Sequence, residues 1–351
     1  MLMNKKLLFI LTAFVLIIGC AFAVSKKSAK ETQDTSIVQE IALDKLEHRT
    51  DDETAPIVYF TRDISAAGML KLYNALGWTA TGKTGVKIST GEPPASNYLR
   101  PELLKDTVQK VNGTIVECNT AYGGKRASSA MHKQVVKDHG FLEIADFDLL
   151  DEEGAMTIPI SCGLRLKEDY VGSHFANYDS FLVISHFKGH AMAGFGGAIK
   201  NLSIGFGSGT AAEKSGKALI HTGGKSSKRI SSWSTKGEYQ NNFLESMADA
   251  AKGVCNYMNG GKNIAFLNVL NRLSVDCDCD GKPEEPDMHD IGIVASLDPL
   301  AIDQASIDMI YIAPDSASLR ERIETRNGLY TLEAGEKNGL GSRYYRLVEI
   351  K

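Results

Sequence analysis

The chain has 351 residues, of which 43% are hydrophobic and 23% charged, a length and composition typical of one large globular domain or two ordinary ones. A formal net charge of −4, with no long run of Lys or Arg, gives no basis for nucleic-acid binding. Six cysteines are too few to indicate a small disulfide scaffold.

The first 23 residues have the pattern of an export signal. Two lysines precede the uncharged run Leu7–Ala23, which is typical of a signal peptide. Ile17–Cys20 is similar to a bacterial lipobox, in which Cys20 would carry the lipid, whereas Ala21–Ala23 fits ordinary secretion. An uncleaved membrane anchor is a third interpretation, although the run is slightly short for a span. We therefore expect an exported protein of the cell envelope, lipid-anchored or otherwise periplasmic or extracellular, that meets the membrane only through this segment.

The rest of the chain is predicted to be a tether followed by an α/β domain. Residues 24–55 are polar and charged and predict a flexible tether, and residues 56–351 predict the folded domain. A weak boundary near residues 170–180 leaves two lobes open. The predicted strands are Ile57–Phe60, Val86–Ile88, Thr114–Glu117, Phe181–Ile184, Ala265–Val269 and Ile291–Ala295, and the predicted helices are Ala66–Leu76, Pro101–Val111, Ala127–His139, Asn242–Met258 and Pro299–Tyr311.

Strands that alternate with helices at this interval predict a mostly parallel sheet with helices on both faces. In such sheets, ligands bind in a cleft made by the loops at the carboxyl ends of the strands. Lys225–Lys236 is predicted to be a polar connector.

The segment that follows the predicted strand at Phe181–Ile184 is rich in glycine, histidine and lysine. His186 and His190 would point to the same side of an extended segment. For His186, ligation of a metal and packing in the core are equally compatible with the sequence. His190 is a candidate proton carrier, and hydrogen bonding to loop backbone is its alternative. Lys200 could bind an anion or form a covalent adduct if burial lowers its pKa, or it could lie on the surface at the start of a helix.

Further residues on these loops are candidates for holding an anionic molecule or cofactor. The backbone N–H groups around Gly194, Gly196 and Gly197 could cradle a phosphate or carboxylate, although flexible turns explain such glycines equally well. Basic side chains on other loops after strands could hold an acidic substrate or cofactor, or could be solvated charges. They are Lys87, Lys125 and Arg126.

Two groups near the C-terminal half concern metal binding and capping. Cys277-Asp278-Cys279 could bind a soft or borderline metal, but two thiols are too few ligands on their own. Structural thiols, or a disulfide to Cys255 in an exported protein, are the alternatives. Asp298 lies before a predicted helix and is well explained as its cap; for Asp303, a role as metal or base partner is the minority interpretation.

Three separated motifs occur in the order found in a known family. They are Gly91-Glu92-Pro93, the segment Ser185–Gly209, and Asp290–Asp303. Together they resemble the domain of unknown function 362 family, often labelled an uncharacterised iron–sulfur centre protein, from about Ile57 to the C-terminus. Many members carry ferredoxin-type cysteine clusters between the glycine-rich segment and the later Cys-Asp-Cys. Lys225–Tyr239 of this chain contains no cysteine, so an iron–sulfur cluster is not expected.

A shorter motif is similar to the central motif of the lactate racemase family. It reads His190-x-x-Ala-Gly-Phe-x-Gly-x-x-Lys200 and is followed by Gly205. In that family the histidine is an acid/base, the lysine anchors a nickel-pincer cofactor made from a nicotinic acid derivative, and a later histidine binds the nickel. His190 and Lys200 match the motif in spacing. His221 is a looser match to the metal-binding histidine, because it lies farther from Lys200 than in the family.

Together these observations predict an exported enzyme-like protein with a metal or nickel-pincer-like cofactor. It would transfer a proton or hydride on a small anionic substrate, with His190 as proton carrier, Lys200 as anchor, and His186 and His221 as ligands. A lipid-anchored protein that binds a small ligand or cofactor without catalysis is the alternative. A redox module that has lost its clusters is a third hypothesis, which the missing cysteines disfavour.

Overall fold

The structure is a computed structural model that describes residues 41–228 and 237–351. This part of the chain is built on one large sheet. Its eight strands are β1 (Ile57–Thr61), β2 (Thr84–Lys87), β3 (Thr114–Glu117), β4 (Phe147–Leu149), β7 (Ser180–His186), β10 (Ile264–Leu270), β11 (Gly292–Ser296) and β12 (Arg346–Glu349). The other four strands form two small antiparallel pairs, which are β5 (Ala155–Pro159) with β6 (Glu168–Gly172) and β8 (Lys188–His190) with β9 (Gly194–Gly196). The order across the large sheet is β12-β1-β11-β10-β7-β2-β3-β4. Every pairing in it is parallel except the two that β11 makes, with β1 and β10.

Helices cover both faces of this sheet, as predicted. Within the described residues they are α1 (Ala66–Ala75), α2 (Pro101–Lys110), α3 (Ser129–Asp138), α4 (Ala198–Phe206), α5 (Gly216–His221), α6 (Glu238–Tyr257), α7 (Pro299–Ile312), α8 (Ala317–Thr325) and α9 (Tyr330–Lys337), with short 3-10 turns at Leu43–Lys45, Lys125–Ala127, Phe141–Glu143, Ser173–Asn177 and Asn259–Gly261. No helix among them is long and apolar enough to span a bilayer.

The central strand β7 shows why two helical layers are needed. All seven of its residues are buried, and its side chains alternate between two separate cores. Phe181 and Val183 pack with α4 and α7, whereas Leu182 and Ile184 pack with α1, α2 and α3. A strand that is apolar on both faces needs such a sandwich, because each fully buried large apolar side chain stabilises the fold by about 1.5–3 kcal/mol.

The order in which the chain adds strands to the sheet reverses between the neighbouring strands β2 and β7. From β2 it moves outward to β3 and β4, then returns to place β7 on the other side of β2 and β10 beyond β7. All five of these strands are parallel, so their carboxyl ends share one edge. At such a switch point the loops after neighbouring strands diverge and leave a crevice.

Two segments differ from the prediction. The glycine-rich segment is not an open loop, because β8 and β9 form a hairpin and α4 follows directly. The predicted tether is also too long, since Ile41 and Leu46 are buried in the core and His48 bonds to Asp308. The described residues from Ile41 onward form one compact unit. The predicted signal peptide, Cys20, residues 24–40 of the tether and residues 229–236 of the polar connector lie outside the described residues.

Candidate functional site

A cavity of about 330 Å³ opens at the switch point, at the carboxyl ends of β2, β3 and β7. Its volume suits a small molecule. The predicted site residues Lys87, Arg126, His186, His190, Gly196, Gly197, Lys200, His221, Cys277 and Cys279 all line it, together with Glu117, Cys118, Tyr122, Lys188, Met192, Ile204, Lys217 and Asp278. The structure therefore gathers side chains that are distant in sequence around one space.

Helix α4 delivers Lys200 to this cavity. The N–H groups of Ala198 and Ile199, in its first turn, donate to the buried carboxylate of Asp303 at 2.7 and 2.9 Å. Asp303 thus caps the helix from α7, and burial raises the pKa of its carboxyl to about 6. A Cβ added at Gly197 would lie 2.3 Å from Asp303 Oδ1, so glycine is required for this close approach.

This cap bears on the predicted anion cradle at the neighbouring glycines. The N–H groups of Ala198 and Ile199, which follow Gly197, are taken by a carboxylate of the protein itself and are not open to a ligand. Gly196 has another use, because a Cβ there would lie 3.4 Å from Lys200 Cδ and 3.9 Å from Lys188 Cε. Glycine at this position leaves room for two lysine stems.

Lys200 is the residue with the most unusual surroundings. Its ammonium makes no hydrogen bond or ion pair with any described residue, and its side chain is partly exposed to the cavity. Burial lowers its pKa to about 7, and the nearby Lys188 adds to this effect, while Asp278 opposes it. A lysine with this pKa exchanges protons, or acts as an amine nucleophile, at neutral pH.

His190 faces the cavity in a defined tautomer. Its Nδ1 accepts the N–H groups of Met192 and Ala193 at 3.1 and 2.9 Å. The proton of the neutral ring must therefore be on Nε2. Burial, and then the charge of Lys200, lowers the pKa of His190 well below its usual value. In this arrangement His190 is able to donate from Nε2 but has no lone pair free to accept a proton, so the predicted role of proton carrier does not fit it.

His221 has the opposite tautomer. Its Nδ1 lies 2.6 Å from the carbonyl oxygen of Lys217, which can only accept, so Nδ1 carries the proton and Nε2 has the lone pair. Burial lowers the pKa of His221 to about 3, and the ring stacks on Phe243 with 4.9 Å between centroids. A neutral imidazole whose Nδ1–H is fixed by a carbonyl is the usual form of a metal ligand.

His186 is held at both nitrogens. Nδ1 lies 2.9 Å from Asp278 Oδ1, and Nε2 lies 2.7 Å from the carbonyl of Asn271. Lys188 Nζ donates to the other oxygen of Asp278 at 2.8 Å, and Lys188 and His186 together hold the pKa of Asp278 well below its usual range despite burial. Because both nitrogens of His186 face acceptors, this conformation offers no lone pair to a metal, in contrast to the prediction.

A second buried charge network adjoins Asp278, because Arg126 also donates to its backbone carbonyl. Arg126 donates to Glu92 and Glu117 at 3.3 Å and to the hydroxyl of Tyr122 at 3.1 Å. His132 and the Arg126 charge hold the pKa of Glu117 well below its usual range against the effect of burial. This network fixes the guanidinium in place at the cavity wall.

Two further lysines reach the cavity with their ammonium groups bonded. Lys87 Nζ donates to the carbonyl of Ile88 at 2.7 Å and to Asn201 Oδ1 at 3.0 Å, and burial lowers its pKa to about 8. Lys217 Nζ donates to the carbonyl of Gly207. Both ammonium groups therefore lie at the cavity while bonded to oxygen atoms of the protein.

The two cysteines of the Cys-Asp-Cys motif form a disulfide with each other in the cavity wall. The predicted alternative of a bond to Cys255 is wrong, because Cys255 is a buried free thiol in the core. The nearest ligand atoms of His190, Cys277 and Cys279 lie within 4.8 Å of one another. Metal binding there needs the reduced thiolates, so the disulfide and the metal site are mutually exclusive states.

Two predicted residues lie away from the cavity. Lys125 is exposed, and it is its backbone N–H that bonds to Glu92. Gly194 has φ +81° and packs against α8, where a Cβ would lie 2.9 Å from the Cα of Gly328. Asp298 caps α7 as predicted, by accepting the N–H groups of Leu300 and Ala301.

Sequence reasoning missed three charged residues of the site, namely Lys188, Lys217 and Glu117. Lys188 had a detectable pattern, because it lies midway between two histidines in an extended segment and so shares their side. Lys217 and Glu117 had none, since each lies near the end of an ordinary-looking element. Their burial becomes apparent only when the elements are assembled.

The fold and the site define an α/β protein with a basic small-molecule cavity at the switch point of a mostly parallel sheet. The family model described as "Domain of unknown function (DUF362)" matches residues 84–308, which is more than half of the chain. The chain therefore belongs to this family, as its motifs predicted. No curated protein matches the chain significantly.

Solved structures with some likeness include the lactate racemase apoprotein from Thermoanaerobacterium thermosaccharolyticum. It has 17% identity and a TM-score of 0.34, over 60% of this chain and 50% of that one. A protein from Thermotoga maritima has 11% identity and a TM-score of 0.35, over 75% of this chain and 58% of its own. The chain thus spans only about half the length of these proteins, and likeness at this level says nothing about chemistry.

Proposed function

We propose that this protein is an enzyme that binds a small carboxylate-bearing molecule in the cavity and transfers a proton to or from it. The observation that carries the proposal is the ammonium of Lys200, which opens into the cavity without a partner among the described residues. A buried charge is costly unless it is paired. A ligand that brings a negative charge would supply the partner that the protein does not.

The balance of charge around the cavity supports an anionic ligand. Five basic side chains line it, Lys87, Arg126, Lys188, Lys200 and Lys217, against the two carboxylates Glu117 and Asp278. Both carboxylates are already engaged with protein cations. Such an excess of one sign in a cleft raises the local concentration of ions of the other sign.

The apolar part of the lining limits what else the ligand carries. Met192 and Ile204 face the same space as the lysines. A small acid with an apolar portion would place its carboxylate at Lys200 and its hydrocarbon against these two side chains.

Lys200 and His190 divide the chemistry between them. The ammonium of Lys200 binds the carboxylate, and because its pKa is about 7 it can lose its proton within the complex and, as a neutral amine, take a proton from the carbon next to the carboxylate, or return one. His190 donates from Nε2 to the oxygen on which charge develops, which a neutral imidazole with a lowered pKa does well.

The cavity also fits the cofactor implied by the motif shared with lactate racemases. Lys200 supplies an amine able to form a covalent adduct, and His221 lines the same cavity as a neutral imidazole whose Nδ1–H is held by the Lys217 carbonyl. When bound, a nickel-pincer group would supply an acceptor for hydride. Lys200 would then anchor this group, and His190 Nε2–H would orient the substrate oxygen. When reduced, Cys277 and Cys279 would supply two thiolates beside His190, and a metal bound there would require His190 to release its Nε2 proton.

The first experiment measures binding by thermal shift. Short carboxylates, phosphate, nucleotides and divalent metals are compared on the wild type, Lys200→Met and Lys105→Met, the last being an exposed helical lysine away from the cavity. A ligand stabilises the folded state by mass action. Carboxylates should raise the melting temperature of wild type and Lys105→Met but not of Lys200→Met. Equal shifts in all three proteins would refute the assignment of Lys200 as the anion partner.

A second experiment separates catalysis from binding alone. Carboxylates that bind are incubated with the enzyme in D₂O, and loss of their carbon-bound protons is followed by NMR. Exchange that depends on Lys200 supports the enzyme. Binding without exchange supports the alternative, a carrier of small acids. Intact mass and metal analysis of gently purified protein test the cofactor, which would add mass at Lys200.

The proposed setting is the cell envelope, with Cys20 as the lipidated residue. Incorporation of labelled palmitate into the wild type but not into Cys20→Ser would support it. Release of unlabelled protein cut after Ala23 would favour ordinary secretion instead.

A further inference from the structure

The disulfide between Cys277 and Cys279 lies in the wall of the ligand cavity, although the proton-transfer proposal makes no use of it. Cys277 is buried, while Cys279 is half-buried and both face the space that Lys200 enters. Structural disulfides commonly join distant parts of a chain. This one closes a loop over a single intervening residue, so it cross-links little, and another role has to be considered.

The two sulfurs are not equivalent. The backbone N–H of Cys279 donates to Cys277 Sγ at 3.2 Å, and the ring of His190 lies within 4.8 Å of both sulfurs. Hydrogen-bond donors and nearby cations stabilise a thiolate. Cys277 is therefore the better leaving group, and the less buried Cys279 is the sulfur that an attacking thiol can reach.

The surroundings also select the attacking thiol. The cavity carries an excess of basic side chains, with Lys188 ion-paired to Asp278 beside the disulfide and Lys200 without a partner among the described residues. A thiolate with a second negative group is drawn to such a space, whereas a cationic thiol is repelled.

We propose that Cys277–Cys279 is a redox-active disulfide that exchanges with a small thiol bearing a carboxylate. The thiolate sulfur attacks Cys279 Sγ, the Cys277–Cys279 bond breaks, and Cys277 leaves as a thiolate with the electron pair. A second molecule of the same thiol attacks the mixed disulfide at the small-thiol sulfur. Cys279 is released as a thiolate, both protein thiolates take up the protons lost by the two small thiols, and the small disulfide departs. The selectivity for a carboxylate rests on the proposed anion site, whereas the exchange itself does not.

The test uses Cys162→Ser protein, because Cys162 is an exposed free thiol that would react in any assay. Free thiols are first counted by alkylation and mass spectrometry under non-reducing conditions. The protein is then treated with 3-mercaptopropionate, 2-mercaptoethanol or cysteamine, with rates corrected for the thiolate concentration of each. Samples quenched in acid are mapped for the mixed disulfide.

The expected adduct is on Cys279, and the expected corrected rate is about tenfold higher for 3-mercaptopropionate than for cysteamine, from the steering typical of charged clefts. Lys200→Met should bring the two rates closer together. Free thiols at Cys277 and Cys279 in the non-reduced protein, a disulfide inert to all three thiols, an adduct on Cys277, or equal corrected rates would each overturn the proposal.

Propionate binding to the same Cys162→Ser protein separates this proposal from the proposed function. If propionate binds but the disulfide is inert, the exchange activity alone fails. If propionate does not bind and the three thiols react equally, the proposed anion site and the selectivity for a carboxylate both fail.

Discussion

The binding of a small carboxylate should weaken steeply as the pH rises through neutrality. Only the ammonium form of Lys200 attracts an anion, and burial lowers its pKa to about 7. Between pH 6 and pH 8 the protonated fraction of a group with this pKa falls from about nine tenths to about one tenth. Affinity should therefore fall about tenfold, which corresponds to about 1.4 kcal/mol of binding free energy.

The other titrating groups at the cavity do not reverse this trend. Glu117 and Asp278 have lowered pKa values and remain ionised over the range. His190 and His221 have lowered pKa values and remain neutral. Lys87, with a pKa lowered to about 8, begins to lose its charge at the upper end and adds to the fall.

Isothermal titration with propionate at pH 6, 7 and 8, at constant ionic strength, measures this effect. Lys200→Arg provides the matched control, because its guanidinium keeps its charge at every pH used. It should bind propionate with little dependence on pH, whereas Lys200→Met should bind weakly throughout. A flat profile in the wild type, or an equal fall in Lys200→Arg, would refute the role assigned to the Lys200 ammonium.

Three further predictions concern the framework of the site. Asp278→Asn leaves the buried Lys188 ammonium and the His186 ring without their shared carboxylate and should lower the free energy of unfolding in urea by about 3–5 kcal/mol, while Asp280→Asn, at an exposed position, should change it little. Gly197→Ala would bring a Cβ to 2.3 Å from Asp303 and should lower the melting temperature, whereas Gly123→Ala, with no atom within 4 Å, should not. Asp303→Ala removes the cap of α4 and should cost about 1–3 kcal/mol in the same urea titration, with propionate affinity reduced; unchanged stability would mean that the cap is dispensable.

Much of the fold followed from hydrophobic pattern. The run around Phe181–Ile184 is apolar at every position, which indicates a strand covered on both faces, and β7 is that strand. Pro101 placed the start of α2 correctly for a local reason, since proline suits the first turn of a helix. By contrast, the segment of α4 was included in a glycine-rich loop because glycines lie immediately before and after it. Its first turn is stabilised by Asp303, a residue more than a hundred positions later.

The site was predictable to the extent that motif spacing reflects geometry. His190, Lys200 and His221 do meet at one cavity, which their order along the chain and the motif indicated. Their protonation states were not predictable, because these depend on which nitrogen meets a backbone group. The Met192 and Ala193 amides set the tautomer of His190, and no sequence pattern encodes that contact.

The same contacts indicate how the cavity would recognise the proposed anion. In phosphate-binding loops, the N–H groups at a helix N-terminus hold the ligand. Here the first turn of α4 is already bonded to Asp303, so this source of anion affinity is occupied. Recognition must then come from side-chain cations, most of which are fixed by bonds to the protein. Lys200 is the exception among the described residues that line the cavity, and glycine at position 196 leaves its stem the space to reach the ligand. In the proposed function, affinity and proton transfer would thus depend on one amine, which is why its loss should weaken binding and abolish proton transfer.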